Sequence, residues 1–171
     1  MKQQSATMLR LASYDIVFQE VPGEVTLALN ISGCPNRCPG CHSPHLWEDI
    51  GEPLDVALID MLLARYGESV TCVCFMGGDG DPAMINRLAA YICSLRCPDS
   101  NVVSLYLRTA WYSGCDTLHP DIDIRNFDYI KIGSFRQELG GLRSPNTNQR
   151  MYRVREGDFP PLGTGVKGYI F

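Results

Sequence analysis

What this sequence lacks narrows it first. No apolar run approaches the ~20 residues of a membrane span. The opening segment, MKQQSATMLRLASYDIV, holds no continuous apolar block ahead of a small-residue cleavage site, so no signal peptide is read there. The expectation is a cytoplasmic protein with no membrane partner. Positive charge is not in surplus either: 15 Lys and Arg stand against 19 Asp and Glu, a net charge of −4. That balance argues against nucleic acid as a main partner. Repeats, low-complexity tracts and linkers are all missing. At 171 residues the chain falls well short of the roughly 250 of a closed eight-unit barrel. It reads as one domain over residues 1–171, and its 45% hydrophobic content is enough to bury a core without cross-links.

Cysteine is abundant by contrast. In a reducing compartment disulfides are a poor use for eight cysteines, and metal binding or redox chemistry is a better one.

The hydrophobic pattern alternates between strand and helix. Tyr14 to Phe18 and Val25 to Ile31 read as strands. Leu54 to Ala64 has helical spacing, with Pro53 at a first-turn position and Gly67 just past the end. Val70 to Met76 (VTCVCFM) is an apolar run of the kind buried on both faces of a parallel sheet. After a GGDGD loop comes a second helix with Ile85, Leu88, Ala89 and Ile92 on one stripe, Asp81 as N-cap and Pro82 as its first residue. Val102 to Leu107, Tyr129 to Ile132 and Gln149 to Val154 complete the strands, and the Gly- and Pro-rich C-terminal stretch is expected to wrap the surface. Strand–helix–strand order implies parallel pairing through helical crossovers, hence an α/β domain.

The central motif is Cys34, Cys38 and Cys41 in CPNRCPGC, a C-x3-C-x2-C spacing directly after a strand. Iron–sulfur clusters are held by thiolates, usually four. Three from one tight loop can take three corners of a 4Fe–4S cluster, leaving the fourth iron open to a ligand, much as catalytic zinc keeps an open position. Pro35, Pro39 and Gly40 suit a loop that must curl round a bulky core. The competing reading is a zinc site with His42 or a distant cysteine as fourth ligand, although zinc sites usually come as two separated pairs and no clean second pair exists here.

The second motif, Gly77-Gly78-Asp79, follows the buried strand, where ligands of parallel α/β folds bind. Glycines there let backbone approach a ligand, and Asp79 can accept from an ammonium; a plain strand-to-helix turn is the alternative.

Together these motifs resemble the radical S-adenosylmethionine enzymes. Within that superfamily, CPGCHSPHLW (Cys38 to Trp47), GGD and TNQR (Thr147 to Arg150) resemble the anaerobic ribonucleotide reductase activating proteins, over about Asp15 to Arg150. The resemblance implies an incomplete, open (β/α) barrel and an oxidoreductase acting as a glycyl-radical activase. Cys34, Cys38 and Cys41 would ligate the cluster; Gly40 and His42 would lie against S-adenosylmethionine; Gly77, Gly78 and Asp79 would receive its ammonium. The partners implied are the large glycyl-radical subunit of the reductase and a flavodoxin- or ferredoxin-like electron donor. Two departures stand out. Gly40 replaces the aromatic residue many superfamily members carry, a glycine the activating proteins share. Gly80-Asp81-Pro82 also separates Asp79 from the proline that often follows the acid directly. Asp79 is favoured as the ligand-facing acid, because Asp81 is accounted for as a helix cap.

Weaker features remain open. Ser113, in Tyr112-Ser113-Gly114, can be read as a hydroxyl for the cofactor's carboxylate or ribose, or as a turn. Asn148, Gln149 and Arg150 are candidates for contact with cofactor or protein substrate. Cys72 and Cys74 read as core, Cys93 and Cys97 as helix neighbours with no further ligands nearby, and Arg37 as a solvated loop charge. Cys115 has no assigned role. The alternatives to an activase are a radical S-adenosylmethionine enzyme acting on a small molecule, such as a deazaguanine synthase, and a non-catalytic metal-binding module.

Overall fold

The computed structural model describes residues 8–96 and 107–154. Seven strands form one sheet: β1 (Arg10–Val17), β2 (Thr26–Ile31), β3 (Glu52–Pro53), β4 (Cys72–Met76), β5 (Arg108–Tyr112), β6 (Tyr129–Ile132) and β7 (Arg150–Arg153). Their order across the sheet is β3-β1-β2-β4-β5-β6-β7. The centre, β2-β4-β5-β6, is parallel, as the strand–helix order implies for β2, β4 and β5. The margins are antiparallel: β1 pairs with β2 and β3, and β7 with β6. The sheet is therefore mixed and open. Helix α1 (Val56–Tyr66) joins β2 to β4, α2 (Pro82–Ser94) lies between β4 and β5, and only a short 3-10 turn (Ile124–Asn126) lies between β5 and β6.

Local chemistry sets the helix starts. Asp81 accepts the Met84 N–H at 2.9 Å and Pro82, which lacks the N–H a first turn would leave unpaired, opens α2. Asp55 does the same for α1, accepting from Leu58 at 2.9 Å. The first helix thus begins after Asp55, and Pro53, expected in its first turn, sits in β3 instead. A short edge strand tolerates proline because one of its sides needs no hydrogen bond. Of the expected Val102 to Leu107 strand, residues 102–106 lie outside the described residues, as do Cys97 and the C-terminal stretch. The observed β5 begins just afterwards at Arg108, in a stretch (RTAWY) too mixed in polarity to read as a buried strand.

Strand alternation divides the core. Leu27, Leu29, Ile31, Val73, Phe75, Trp111 and Ile130 pack with the helix residues Leu58, Leu62, Ile85, Leu88 and Ile92. Each such side chain contributes about 1.5–3 kcal/mol by leaving water. The opposite face carries Cys72, Cys74, Ala110, Tyr129 and Met151, closed by Val21 from the turn after β1. Near the amino ends of the parallel strands Glu24, 9% exposed, accepts from Tyr129 Oη at 2.8 Å and Thr71 Oγ1 at 2.6 Å, and pairs with Arg108 at 2.9 Å. These partners offset the cost of burying a carboxylate. The carboxyl ends of the strands are left for other uses.

Candidate metal centre

The cysteine loop leaves the carboxyl end of β2 and is anchored at its base. Ser32 Oγ donates to Ile50 O at 2.6 Å, Gly33 N donates to Glu48 O at 3.0 Å, and Cys34 N to Leu46 O at 2.9 Å. Within the loop Cys41 N donates to Cys38 O at 3.1 Å, and Arg37 adopts a left-handed backbone (φ 43°). Cys34, Cys38 and Cys41 are free thiols, each partly exposed.

The donor set fits a cluster. Burial pushes the Cys34 thiol above its ordinary value, while the backbone N–H groups of Asn36 and Arg37, hydrogen-bonded to it, pull it back. Ser43 N donates to Cys41 Sγ at 3.4 Å. Hydrogen bonds to sulfur stabilise thiolate character and tune cluster potentials. A zinc ion would draw three ligand sulfurs to within about 4 Å of one another, given Zn–S bonds near 2.3 Å. Among the described residues no group of three His, Cys, Asp or Glu is gathered for a single ion. Thiolates that each take a different iron need no such convergence.

The turn after β4 separates the two acids. Asp81 is committed to capping α2. Asp79 faces the cysteine loop and accepts three hydrogen bonds: Asn36 Nδ2 at 2.7 Å and Gly114 N at 2.8 Å on Oδ2, and Ser113 Oγ at 2.6 Å on Oδ1. Ser113, 1% exposed, therefore spends its proton on Asp79, and its oxygen accepts Cys115 N at 3.0 Å. Its expected role toward a cofactor becomes one of support for the carboxylate. Gly78 is also differently employed. Its missing side chain leaves room for Ile85 and Ile31 in the core, at a φ of +87°.

A cavity of about 730 Å³ opens beside this cluster, between the cysteine loop and residues 135–149. Cys41, His42, Met76, Tyr112, Lys131 and Gln149 contribute to its walls, whereas Gly77, Gly78 and Asp79 do not. His42 is exposed and its ring lies 4.8 Å from that of Phe135. Gly40 turns its bare face to Gln137, whose Oε1 would lie 2.6 Å from an added Cβ.

Lys131 was not singled out by sequence. It is 9% exposed, and its amine donates to Gly133 O at 3.1 Å and Ser113 O at 3.3 Å. Burial lowers its affinity for the proton, while Asp79 among other groups opposes that effect. A lysine placed on the otherwise apolar YIKI strand was its one signal. Of the TNQR segment, Gln149 reaches the cavity and donates to Gly133 O at 3.3 Å, Asn148 donates to Ser134 O at 2.9 Å, and Arg150 folds back on the Thr147 and Gln149 carbonyls. Cys72 and Cys74 are buried in the core, and Cys93 Sγ donates to Asn126 O at 3.2 Å.

Residues 21–104, from the turn before β2 past α2, match the family model of the 4Fe-4S single cluster domain. That match supports an iron–sulfur protein. It covers both the cysteine loop and the Gly77-Gly78-Asp79 turn, and it is compatible with an oxidoreductase. No curated protein and no solved structure matched the chain. No helix among the described residues is long and apolar enough to cross a membrane.

Proposed function

We propose that this chain is a radical S-adenosylmethionine activase that generates a glycyl radical on the large subunit of an anaerobic ribonucleotide reductase. The observation that carries the reading is the junction of three free cysteines with the Asp79 carboxylate at the carboxyl ends of parallel strands. Cys34, Cys38 and Cys41 would hold a 4Fe–4S cluster with one iron open. When bound, the cluster supplies one electron to S-adenosylmethionine, splitting its sulfonium into methionine and a 5′-deoxyadenosyl radical able to take a hydrogen atom from a glycine.

The chain's own residues bind and orient. A carboxylate offers about four acceptor positions. Three on Asp79 are filled by Asn36, Ser113 and Gly114, and on this reading its carboxylate would also meet a cofactor ammonium. The buried Lys131 amine and Gln149 amide supply donors at the cavity wall, and His42 with Phe135 supplies a ring surface. On this reading the face carrying Cys72, Cys74 and Ala110 is the interior of an incomplete (β/α) barrel. A radical must be shielded from water, and a protein partner covering the open side would do this. The electron donor would be flavodoxin- or ferredoxin-like, and the setting cytoplasmic.

The cavity volume, which falls in the small-ligand range of roughly 300–1,000 Å³, favours a second reading: radical chemistry on a small molecule. The assay is 5′-deoxyadenosine formation by anaerobically reconstituted protein, with and without a candidate reductase subunit. Partner-dependent turnover with a glycyl radical signal in the partner is expected. Stoichiometric turnover of a small molecule alone would overturn the activase, and zinc without sulfide in the purified chain would leave a metal-binding module.

A further inference from the structure

Asn36 occupies one of the unspecified positions of C-x3-C, and nothing in the motif marks it. In the structure its side chain crosses from the cysteine loop to the turns after β4 and β5. Nδ2 donates to Asp79 Oδ2 at 2.7 Å, beside the Gly114 N–H on the same oxygen, and Oδ1 accepts from Cys115 Sγ at 3.8 Å. Gly114 makes the room: a Cβ there would stand 2.5 Å from Asn36 Nδ2. The backbone anchors of the loop run the other way, to Leu46 and Glu48. Among the described residues, the hydrogen bonds tying the cysteine loop to Asp79 and Cys115 come from this one side chain.

The amide suits the task. It donates to Asp79 without cancelling its charge, as a lysine would, and without repelling it, as a carboxylate would. We propose that Asn36 is a positioning residue that sets the spacing between the three cluster cysteines and Asp79, so that a ligand touching both the open iron and the carboxylate is held in register. The inference rests on the proposed function for its ligand, S-adenosylmethionine, but the tie itself can be tested without it.

The test uses the full chain reconstituted anaerobically, as wild type, Asn36→Ala, Asn36→Asp and the exchanged pair Asn36→Asp with Asp79→Asn. Three quantities are measured: iron and sulfide per chain, S-adenosylmethionine affinity from the change it causes in the reduced-cluster electron paramagnetic resonance spectrum, and amide hydrogen exchange over residues 33–41 and 113–115. Asn36→Ala should keep its iron and sulfide, exchange faster in both segments, and bind the cofactor roughly ten- to a hundred-fold more weakly, the weight of a hydrogen bond to a charged group. Asn36→Asp should be weaker still. The exchanged pair restores a donor–acceptor match between residues 36 and 79 but turns the new amide NH2 at residue 79 toward the Gly114 N–H. Exchange should therefore slow again over residues 33–41 and stay fast over 113–115, while cofactor affinity stays low for want of the charge on residue 79. Wild-type exchange in Asn36→Ala overturns the proposal. Loss of iron from that variant also overturns it, assigning the side chain to cluster retention. If wild type itself gives no cofactor-dependent signal, the functional reading fails, and exchange alone then decides the tie: faster in Asn36→Ala upholds it, unchanged refutes it.

Discussion

Replacing Gly78 by alanine separates packing from ligand contact in the Gly77-Gly78-Asp79 turn. Two glycines at a strand end suit backbone approach to a ligand, yet Gly78 turns inward. An added Cβ would sit 2.5 Å from Ile85 Cδ1, 2.7 Å from its Cγ1 and 3.3 Å from Ile31 Cδ1. Ile85 is 0% exposed and Ile31 1%, so neither can swing away into solvent. The Cγ1 contact lies close to the backbone of a β-branched residue whose χ1 is stiff, so small adjustments will not relieve it. Overpacking of this kind costs about 1–3 kcal/mol. The positive φ of +87° adds about 1–2 kcal/mol of strain for a residue with a side chain. The sum is roughly 2–5 kcal/mol, or about 4–20 °C in melting temperature for a domain of this size.

Gly80→Ala is the internal control. Its Cβ would meet only Gly33 O, at 3.4 Å, so its cost should stay within about 0.5 kcal/mol. Anaerobic thermal melts followed by far-ultraviolet circular dichroism, on wild type and both variants, give the comparison. A Gly78→Ala protein that melts like wild type but no longer binds S-adenosylmethionine would refute the packing argument and return this glycine to the ligand.

Serine at Cys34, Cys38 or Cys41 should each abolish cluster binding, measured as iron and sulfide after reconstitution, whereas Cys93→Ser, whose thiol bonds to Asn126 O, should leave it intact. Asp81→Ala should cost about 1 kcal/mol through the lost cap on α2, read in urea unfolding, with cofactor affinity unchanged. Burial holds the Lys131 amine below its ordinary 10.5. Between its folded value and 10.5 the unfolded chain binds more protons, so wild-type stability should rise with pH across that window relative to Lys131→Met. Parallel stability curves for the two proteins over that range would contradict the assignment.

The features legible in sequence were those whose chemistry is local. Asp81-Pro82 followed by Ile85, Leu88 and Ile92 states a helix start and a buried stripe within a dozen residues, and the structure has both. The spacing of Cys34, Cys38 and Cys41 points to metal chemistry from sequence alone, and the family model that covers this loop supports an iron–sulfur protein. The antiparallel margins of the sheet were not legible, since nothing in RLASYDIV says whether its neighbour runs with or against it. Pro53 misled for a related reason: a proline before an apolar stripe fits a first turn and an edge strand equally well, and the choice was made by Asp55 two residues later.

The site divides along the same line. Motifs announce which side chains carry chemistry, but the distance between two motifs is set by residues that belong to neither. Asn36 reaches Asp79 across a sequence separation of 43, and Lys131 reaches Ser113 O across 18. Neither contact has a local signature. Alternation along a strand turns Lys131 to the same face of β6 as Tyr129, but nothing local says that this face opens on a cavity shared with Cys41 and His42. Ser113 shows the complementary error. Its position at a strand end puts it beside Asp79, and its one proton is claimed by that carboxylate. A hydroxyl has a single hydrogen to give, so assigning it to a cofactor requires knowing every other acceptor within reach. The sequence cannot supply that knowledge, because those acceptors come from other strands.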